Sequence, residues 1–157
     1  MGSRPRINLA YIAGFLDGDG SLMLQIKRRK DGNKKYRFMA TICFYQDSNH
    51  KNSLLWFKEV LGIGYLSDRN DGMSELRING YKQVKEILKE LLPFLRFKSN
   101  QAEALYKATK LLDESKDLNE KNLRQLVKYI VTIQLNNYKS RSKRSETELL
   151  QILGLTP

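Results

Sequence analysis

The sequence has little of the chemistry that builds disulfides or zinc sites: one cysteine and one histidine among 157 residues. Cys43 has no partner, which excludes a disulfide framework, and cysteine-based zinc sites lack their ligands. His50 alone adds little to a ligand set. Any metal site in this chain must therefore be built from oxygen atoms.

Long apolar runs are also missing. No segment approaches the roughly 18 apolar residues that a membrane span needs. The N-terminus has no basic segment followed by an apolar stretch, as a secretory signal would have. We therefore expect a soluble, intracellular protein of the cytoplasm, nucleoid or an organelle matrix, with no membrane partner.

Acidic residues are the third shortage, with 17 aspartates and glutamates against 28 lysines and arginines and a net charge of +11. Such a charge attracts a polyanion or an anionic membrane surface, and charge alone does not choose between them. The length fits one domain, 1–157. We expect its core at about 8–135, a basic linker at 136–144 and a C-terminal helix at about 146–153.

Apolar periodicity predicts two hairpins among helices, an α+β fold. Hairpin turns are predicted at Asp31-Gly32 and Asp71-Gly72. Asn8 is predicted to cap the first helix, and the sequence Ser145-Glu-Thr-Glu is a capping box for the last one. The predicted order is a helix over 9–17, strands over 21–27 and 36–46, a helix over 53–61 ending at Gly62, a hairpin over 64–79, and helices over 82–92, 100–112, 119–135 and from 146.

The segment IAGFLDGDGS, residues 12–21, carries an unusual combination of glycines and aspartates. Ala10, Gly14 and Gly18 recur every four residues and would form one ridge of small side chains on a helix. A second helix could approach this ridge closely, and if it belonged to another subunit, Asp17 and Asp19 of both chains would meet at a two-fold axis. The alternative is that the glycines pack the helix against its own domain and the aspartates form a turn.

A calcium-binding loop is a further reading of the same residues. Asp17, Asp19 and Ser21 match the first three ligand positions of such a loop. The sixth position is Leu22 instead of glycine, and the twelfth is Arg28 instead of glutamate, so this reading fails.

The decapeptide resembles the signature of the LAGLIDADG homing endonuclease family. Two further segments are similar to the single-motif branch: FYQD places Gln46 where the branch has a polar residue near the scissile phosphate, and PFLRFKSNQA places Lys98 where it has a basic residue. The resemblance extends over about 8–135. It implies a four-stranded antiparallel sheet curved as a DNA saddle, with helices on its other face in the order αββαββα plus C-terminal helices.

The resemblance implies a site-specific, intron-encoded DNA endonuclease that makes a double-strand break with 3′ overhangs by metal-dependent phosphodiester hydrolysis. Asp19 and the Gly18 carbonyl oxygen would bind Mg²⁺; Mn²⁺ or Ca²⁺ would also fit, with Ca²⁺ not expected to support cleavage. Gln46 would orient the attacking water, and Lys98 would stabilise charge on the phosphate or lower the pKa of the water. No organic cofactor is implied.

The motif occurs once, so each chain supplies one such site and cutting both strands of DNA needs two. The expected assembly is a homodimer that reads a long, roughly palindromic target. Asp17 is assigned to the helix end and the dimer contact. The predicted dimer interface consists of Ala10, Ala13, Gly14, Asp17 and Gly18.

The outward faces of the predicted strands carry a mixture of side chains that suits reading bases in a major groove. The alternative is that they only solvate the open side of an antiparallel sheet. The basic turn over 27–35 would extend along the groove or hold flanking phosphates, and the tail over 139–144 would hold DNA backbone. The predicted DNA-binding residues are Gln25, Lys27, Arg29, Arg37, Met39, Thr41, Tyr45, Ser67, Arg69, Glu75, Arg77 and Asn79.

Two other functions fit the scaffold. One is a non-cleaving nucleic-acid binder, either an intron RNA-splicing maturase or a DNA-binding regulator, and the other is a basic packing module without catalysis. The presence of Asp19, Gln46 and Lys98 argues against lost catalysis. His50 lies in the polar segment DSNHKN, where a lone histidine is typically solvated and not a general base.

Overall fold

Six helices and four strands make up the computed structural model, which describes residues 3–30, 35–137 and 143–157. The predicted α+β class and the order of elements are confirmed. The turn at Asp31-Gly32 and most of the basic linker lie outside the described residues. The elements are α1 (Arg6–Asp19), β1 (Gly20–Arg28), β2 (Tyr36–Asp47), α2 (Lys51–Leu61), β3 (Tyr65–Asp68), β4 (Met73–Asn79), α3 (Tyr81–Leu91), α4 (Ser99–Glu114), α5 (Glu120–Asn136) and α6 (Glu146–Ile152), with 3-10 turns at Ser48–His50 and Leu92–Phe94.

The four strands form one antiparallel sheet in the order β1-β2-β4-β3. β1 and β2 pair from Gly20 opposite Phe44 to Arg28 opposite Tyr36. β2 then pairs with β4, and β3 forms the second edge of the sheet. Both hairpins therefore contribute to one continuous surface.

The helices pack on one face of this sheet, with α1, α2 and α3 against the central strands and α4 and α5 against β1. The strand residues predicted to face the core are buried there, as strict alternation requires. They are Leu22, Leu24, Ile26, Phe38, Ala40, Ile42, Phe44, Leu76 and Ile78. The alternate residues of the strands point to the other face of the sheet, where Gln25, Lys27 and Arg37 are exposed.

The start of α1 differs from the prediction. Asn8 does not cap the helix; α1 begins at Arg6, with Pro5 at the cap position and the Pro5 carbonyl accepting the N–H groups of Asn8 and Leu9. No side chain caps this helix; Pro5 has φ −58°, a fixed backbone angle that already suits a helix start.

The other predicted helix ends agree with the structure. Gly62 ends α2 with φ 69°, in the left-handed region that glycine favours. The Ser145 hydroxyl accepts the N–H of Glu148 at 3.2 Å at the start of α6. Within the described part of the chain, no helix combines the length and apolar character needed to cross a membrane.

Arg4 anchors the segment that leads into α1. Its guanidinium donates to the carbonyl oxygens of Val60 at 3.1 Å and Leu61 at 2.6 Å, at the end of α2, and pairs with Glu90 on α3. A cation at these last carbonyls also suits the helix dipole. Three helices are thus tied together beside the start of α1.

Candidate active site

The C-terminal end of α1 is fixed to the segment before α4 by the Asp17 side chain. Its carboxylate accepts the backbone N–H of Arg96 at 2.8 Å and that of Lys98 at 3.0 Å. Hydrogen bonds to an ionised acceptor are among the strong ones. The predicted helix-end role of Asp17 therefore has a specific form, which is to position the backbone that carries Lys98.

Lys98 completes this junction with its side chain. The ammonium donates to the carbonyl oxygens of Leu16 and Asp17, both at 2.8 Å. Both carbonyls lie in the last turn of α1, where a cation is stabilised by the helix dipole, and the Leu16 carbonyl also accepts the N–H of Gly20. Burial lowers the pKa of Lys98 below its ordinary value, against the opposing effect of the Asp17 and Asp19 charges.

Asp19 ends α1 and is exposed, as is Gly18. Gly20, directly after Asp19, pairs with Phe44, and Gln46 lies two residues beyond Phe44 on β2 and lines a cavity with Phe15 of α1. The three predicted catalytic residues, Asp19, Gln46 and Lys98, therefore lie around one end of α1, although they come from three separate segments.

Gln46 lies at the end of β2, and its side-chain oxygen accepts the N–H of Asp47 at 2.8 Å. It lines a cavity of about 290 Å³ together with Tyr11, Phe15, His50 and Ser53. His50 is exposed, as predicted for a solvated histidine. The cavity shared by His50 and Gln46 was not predicted, because the two residues lie on different elements.

One side of α1 is not covered by any of the residues that the structure describes. A Cβ atom added at Gly14 or Gly18 would meet no atom within 4 Å. The alternative that these two glycines pack α1 against its own domain is therefore wrong. On the same side, Ile7 is 79% exposed and Tyr11 is 63% exposed. Exposed apolar patches of this kind mark surfaces that bind another molecule.

Ala13 is a correction to the predicted dimer interface. It is completely buried in the core with Leu9, Ile12 and Leu16, so it is not available to a second chain. One residue turns a helix by 100°, which moves Ala13 off the ridge of Gly14 and onto the inner side. Phe97, 77% exposed beside Lys98, is a candidate contact that helix periodicity could not find because it lies in a loop.

The residues predicted to read DNA lie on the face of the sheet opposite the helices. Residues directly opposite each other on antiparallel strands point to the same face. The register pairs Lys27 with Arg37, Gln25 with Met39, Thr41 with Asn79, and Tyr45 and Ser67 each with Glu75. We call this surface the reading face. Tyr65, opposite Arg77 and exposed, belongs to it and was not predicted.

Thr41 is a second correction, because it is only 2% exposed. Its hydroxyl donates to the Asn79 side chain at 2.7 Å. Thr41 lies on a central strand, where Met23 and Asn79 flank it on the two neighbouring strands. The predicted face is right, but the neighbours bury this short side chain.

Arg69 lies in the turn after β3 and not in the strand. It forms an ion pair with Asp71 at 2.9 Å. Arg29 likewise lies just beyond β1, where its N–H donates to the Lys35 carbonyl at 3.0 Å. Both side chains are exposed at the margins of the reading face.

Residues 12–112 match the sequence profile of the LAGLIDADG endonuclease family. The chain belongs to this family. The DNA endonuclease I-CvuI of Chlorella vulgaris is 35% identical over 112 residues, covering 71% of this chain and 70% of that protein. The DNA endonuclease I-CreI of Chlamydomonas reinhardtii is 33% identical over 143 residues, covering 88% and 85%.

Solved structures of LAGLIDADG endonucleases have the same fold. The crystal structure of I-CvuI with its target, in the presence of 2 mM Ca, aligns with a TM-score of 0.84 and 28% identity over 97% of this chain and 98% of that one. A second I-CvuI structure holds the I-CreI target in the presence of 2 mM Mg, with the DNA not cleaved, and aligns with a TM-score of 0.80. The predicted sheet and helix layers are thus confirmed.

The donor set at the end of α1 suits a hard divalent cation. Asp19 offers an exposed carboxylate, and Gly18 lies in the last turn, where carbonyl oxygens lack helical partners. Among the described residues, no three histidines, cysteines, aspartates or glutamates cluster as a closed metal site. A cation held here would therefore retain positions for water and phosphate oxygens, as Mg²⁺ sites commonly do.

Proposed function

We propose that this chain is a site-specific DNA endonuclease of the intron-encoded homing type, which makes a double-strand break with 3′ overhangs in a long pseudo-palindromic target. The observation that carries the proposal is the position of Asp19, Gln46 and Lys98 around one end of α1, directly beside the reading face. The chain would act as a single domain, since its buried apolar residues form one continuous core.

Mg²⁺ is the proposed cofactor, held by the Asp19 carboxylate and the Gly18 carbonyl oxygen. When bound, a divalent ion lowers the pKa of a water molecule and neutralises charge on the phosphate. Mn²⁺ would serve as well, whereas Ca²⁺ would occupy the site without supporting cleavage.

The chain's own residues have separate tasks in this reaction. Gln46 would orient the attacking water through its side-chain amide, from the end of β2 two residues beyond Phe44, which pairs with Gly20. Lys98 would add positive charge near the phosphate while its ammonium remains bound to the last carbonyls of α1. Asp17 would hold the Lys98 backbone in place.

The proposed assembly is a homodimer through the open side of α1. Gly14 and Gly18 leave space for close approach, and Ile7, Tyr11 and Phe97 supply exposed apolar surface around them. Two copies of Asp19 would then act on opposite DNA strands. A two-fold assembly presents the same reading face to each half of the target, which explains a pseudo-palindrome.

The test is cleavage of a plasmid library with randomised inserts, with Mg²⁺ or with EDTA, followed by sequencing of every cut end. The matched variant is Asp19→Asn, which removes one negative charge without a change of shape. We expect cuts at a long, roughly palindromic sequence with native protein and Mg²⁺ only, while the variant still binds that sequence. Unchanged cutting by Asp19→Asn, or specific binding without any cutting by the native protein, would refute the proposal and favour a non-cleaving binder.

A further inference from the structure

The centre of the reading face contains a group of polar side chains that bond to one another. Cys43 and Tyr45 on β2 lie opposite Arg77 and Glu75 on β4. The Tyr45 hydroxyl also bonds to the Ser21 hydroxyl of β1 at 3.0 Å. The outer part of the face, around Gln25, has instead exposed side chains at the open edge of the sheet.

Glu75 is held inside this group. Its side chain is only 12% exposed, and one carboxylate oxygen accepts the Nε–H of Arg77 at 2.7 Å. The second oxygen is 4.0 Å from the thiol of the buried Cys43. A carboxylate turned into the sheet in this way is poorly placed to accept a cytosine amino group from a DNA groove.

Arg77 differs from Glu75 in reaching the surface, because its side chain is 38% exposed. The bond to Glu75 uses the Nε donor, so the two terminal NH₂ groups of this partly exposed side chain remain as a fork of donors for a ligand. Two parallel donors match the O6 and N7 acceptors of guanine, and arginine–guanine contacts of this kind are the commonest specific ones. A side chain already fixed by a partner also loses less conformational entropy on binding.

We propose that Arg77 selects a guanine in each half of the target and that Glu75 is its positioning residue. This inference rests on the proposed function, since it needs DNA on the reading face. Arg77 lies in the next row of the reading face from Glu75, and Tyr45, opposite Glu75, follows Phe44, which pairs with Gly20 directly after Asp19. Successive rows on one face are about 7 Å apart, so the guanine belongs to the part of the half-site nearer the cut.

The experiment is selection of bound DNA from a randomised pool in Ca²⁺, which requires binding but no cleavage, followed by sequencing. The variants are Arg77→Ala, Glu75→Ala and Glu75→Gln. The control is Glu103→Gln, which removes the same charge from an exposed carboxylate paired with Lys107 on α4. Thermal unfolding of every variant establishes that it is folded.

Native protein and Glu103→Gln are expected to select guanine at one inner position of each half-site. Arg77→Ala should reduce that preference about tenfold or more at this position alone. Glu75→Ala should weaken preference at the same position, because the arginine fork is no longer fixed. Glu75→Gln should restore part of it, since its side-chain oxygen still accepts the Nε–H.

Three results would overturn the inference. Arg77→Ala could weaken binding to all sequences equally and reduce the salt dependence, as loss of a phosphate contact does. Glu75→Ala could relax a cytosine preference at a different position, which would make Glu75 a direct reader. Glu75→Ala could also leave every position unchanged. If the native protein binds a sequence without cutting it, the proposed function is contradicted. The base preferences of the variants would still decide whether Arg77 selects a guanine.

Discussion

Both sides of α1 carry small and apolar residues, but one side is buried in the core and the other is exposed. On the inner side, Leu9, Ile12, Ala13 and Leu16 are buried in the core. On the open side, Gly14 and Gly18 face empty space, with Ile7 and Tyr11 exposed beside them. The first set stabilises the single chain. In the second set Tyr11 also packs edge-to-face against Trp56 and Phe57, whereas a side chain at Gly14 or Gly18 would meet none of the described residues.

The two aspartates of the motif differ in the same way. Asp17 is half-buried and accepts two backbone N–H groups from the segment before α4. Asp19 is exposed at the helix end. Under the proposed function, we expect Asp17 to serve folding and Asp19 to serve the metal chemistry, and substitutions can separate these roles.

The largest expected effect is on the cleavage rate, and it distinguishes substitution of Asp19 from substitution of Asp17. Asp19→Asn should lower the cleavage rate by at least about a thousandfold, because the metal loses its carboxylate ligand and metal chemistry supplies several kcal/mol. Its free energy of unfolding should be nearly unchanged. Asp17→Asn should lose about 2 kcal/mol of stability, because each carboxylate oxygen accepts one N–H and the amide keeps only one oxygen, so one N–H loses its acceptor.

Single-turnover cleavage with saturating enzyme and urea unfolding measure these two quantities. A stability loss in Asp19→Asn as large as that in Asp17→Asn would remove the distinction between the carboxylates. So would normal cleavage by Asp19→Asn.

The second prediction compares neighbouring small residues. Gly14→Leu should leave the chain folded, since its side chain meets empty space, but should raise the dimer dissociation constant by about 5- to 150-fold, the equivalent of 1–3 kcal/mol of overpacking. Ala13→Leu should cost about 1–3 kcal/mol of folding stability by overfilling the core.

Analytical ultracentrifugation over a concentration series gives the dissociation constant, and thermal unfolding gives the stability. The interface proposed on α1 is wrong if Gly14→Leu dimerises as tightly as the native chain. Equal destabilisation by the two substitutions would mean that Gly14 also faces the core.

The smallest expected effect is a shift in the pH profile. Burial lowers the pKa of Lys98, so its ammonium should lose its proton as pH rises toward a value below the ordinary 10.5. Cleavage should fall along that alkaline limb, since the neutral amine no longer opposes phosphate charge. Lys98→Arg should move the limb to higher pH, because a guanidinium stays protonated.

Initial cleavage rates from pH 7 to 10 with native protein and Lys98→Arg provide the measurement, with DNA binding at each pH as the control. An alkaline limb at the same pH in both proteins would assign it to another group. The folded pKa is depressed, so native stability relative to Lys98→Met should rise, not fall, with pH through this window.

The sequence predicted those parts of the molecule that depend on local periodicity. Alternation identified the core-facing residues of β1 and β2, and the four-residue spacing identified Gly14 and Gly18 as an open ridge. It failed for Ala13 and Thr41, because their burial depends on which neighbours lie beside them in space. To predict that Ala13 is buried, one must know which side of α1 faces the core. To predict that Thr41 is buried, one must know that β2 is a central strand of the sheet.

The contacts around Lys98 and Arg77 were also beyond the sequence. Resemblance to the family indicated that Lys98 lies near the reaction, but nothing in the spacing connects it to the carbonyls of Leu16 and Asp17. The bond between Glu75 and Arg77 was missed for a different reason. Two charged residues on one strand face look like two independent readers until their side-chain positions are known.

The junction between α1 and Lys98 has a consequence for how the protein acquires activity. Its hydrogen bonds join residues 79 to 82 positions apart in the chain. Contacts over such separations form only after the intervening elements have been synthesised and folded, because loop closure costs entropy that local structure does not. A chain still emerging from the ribosome with the motif already exposed would lack the second half of its own active site, so the ability to break DNA arises only once about two thirds of the protein has been made.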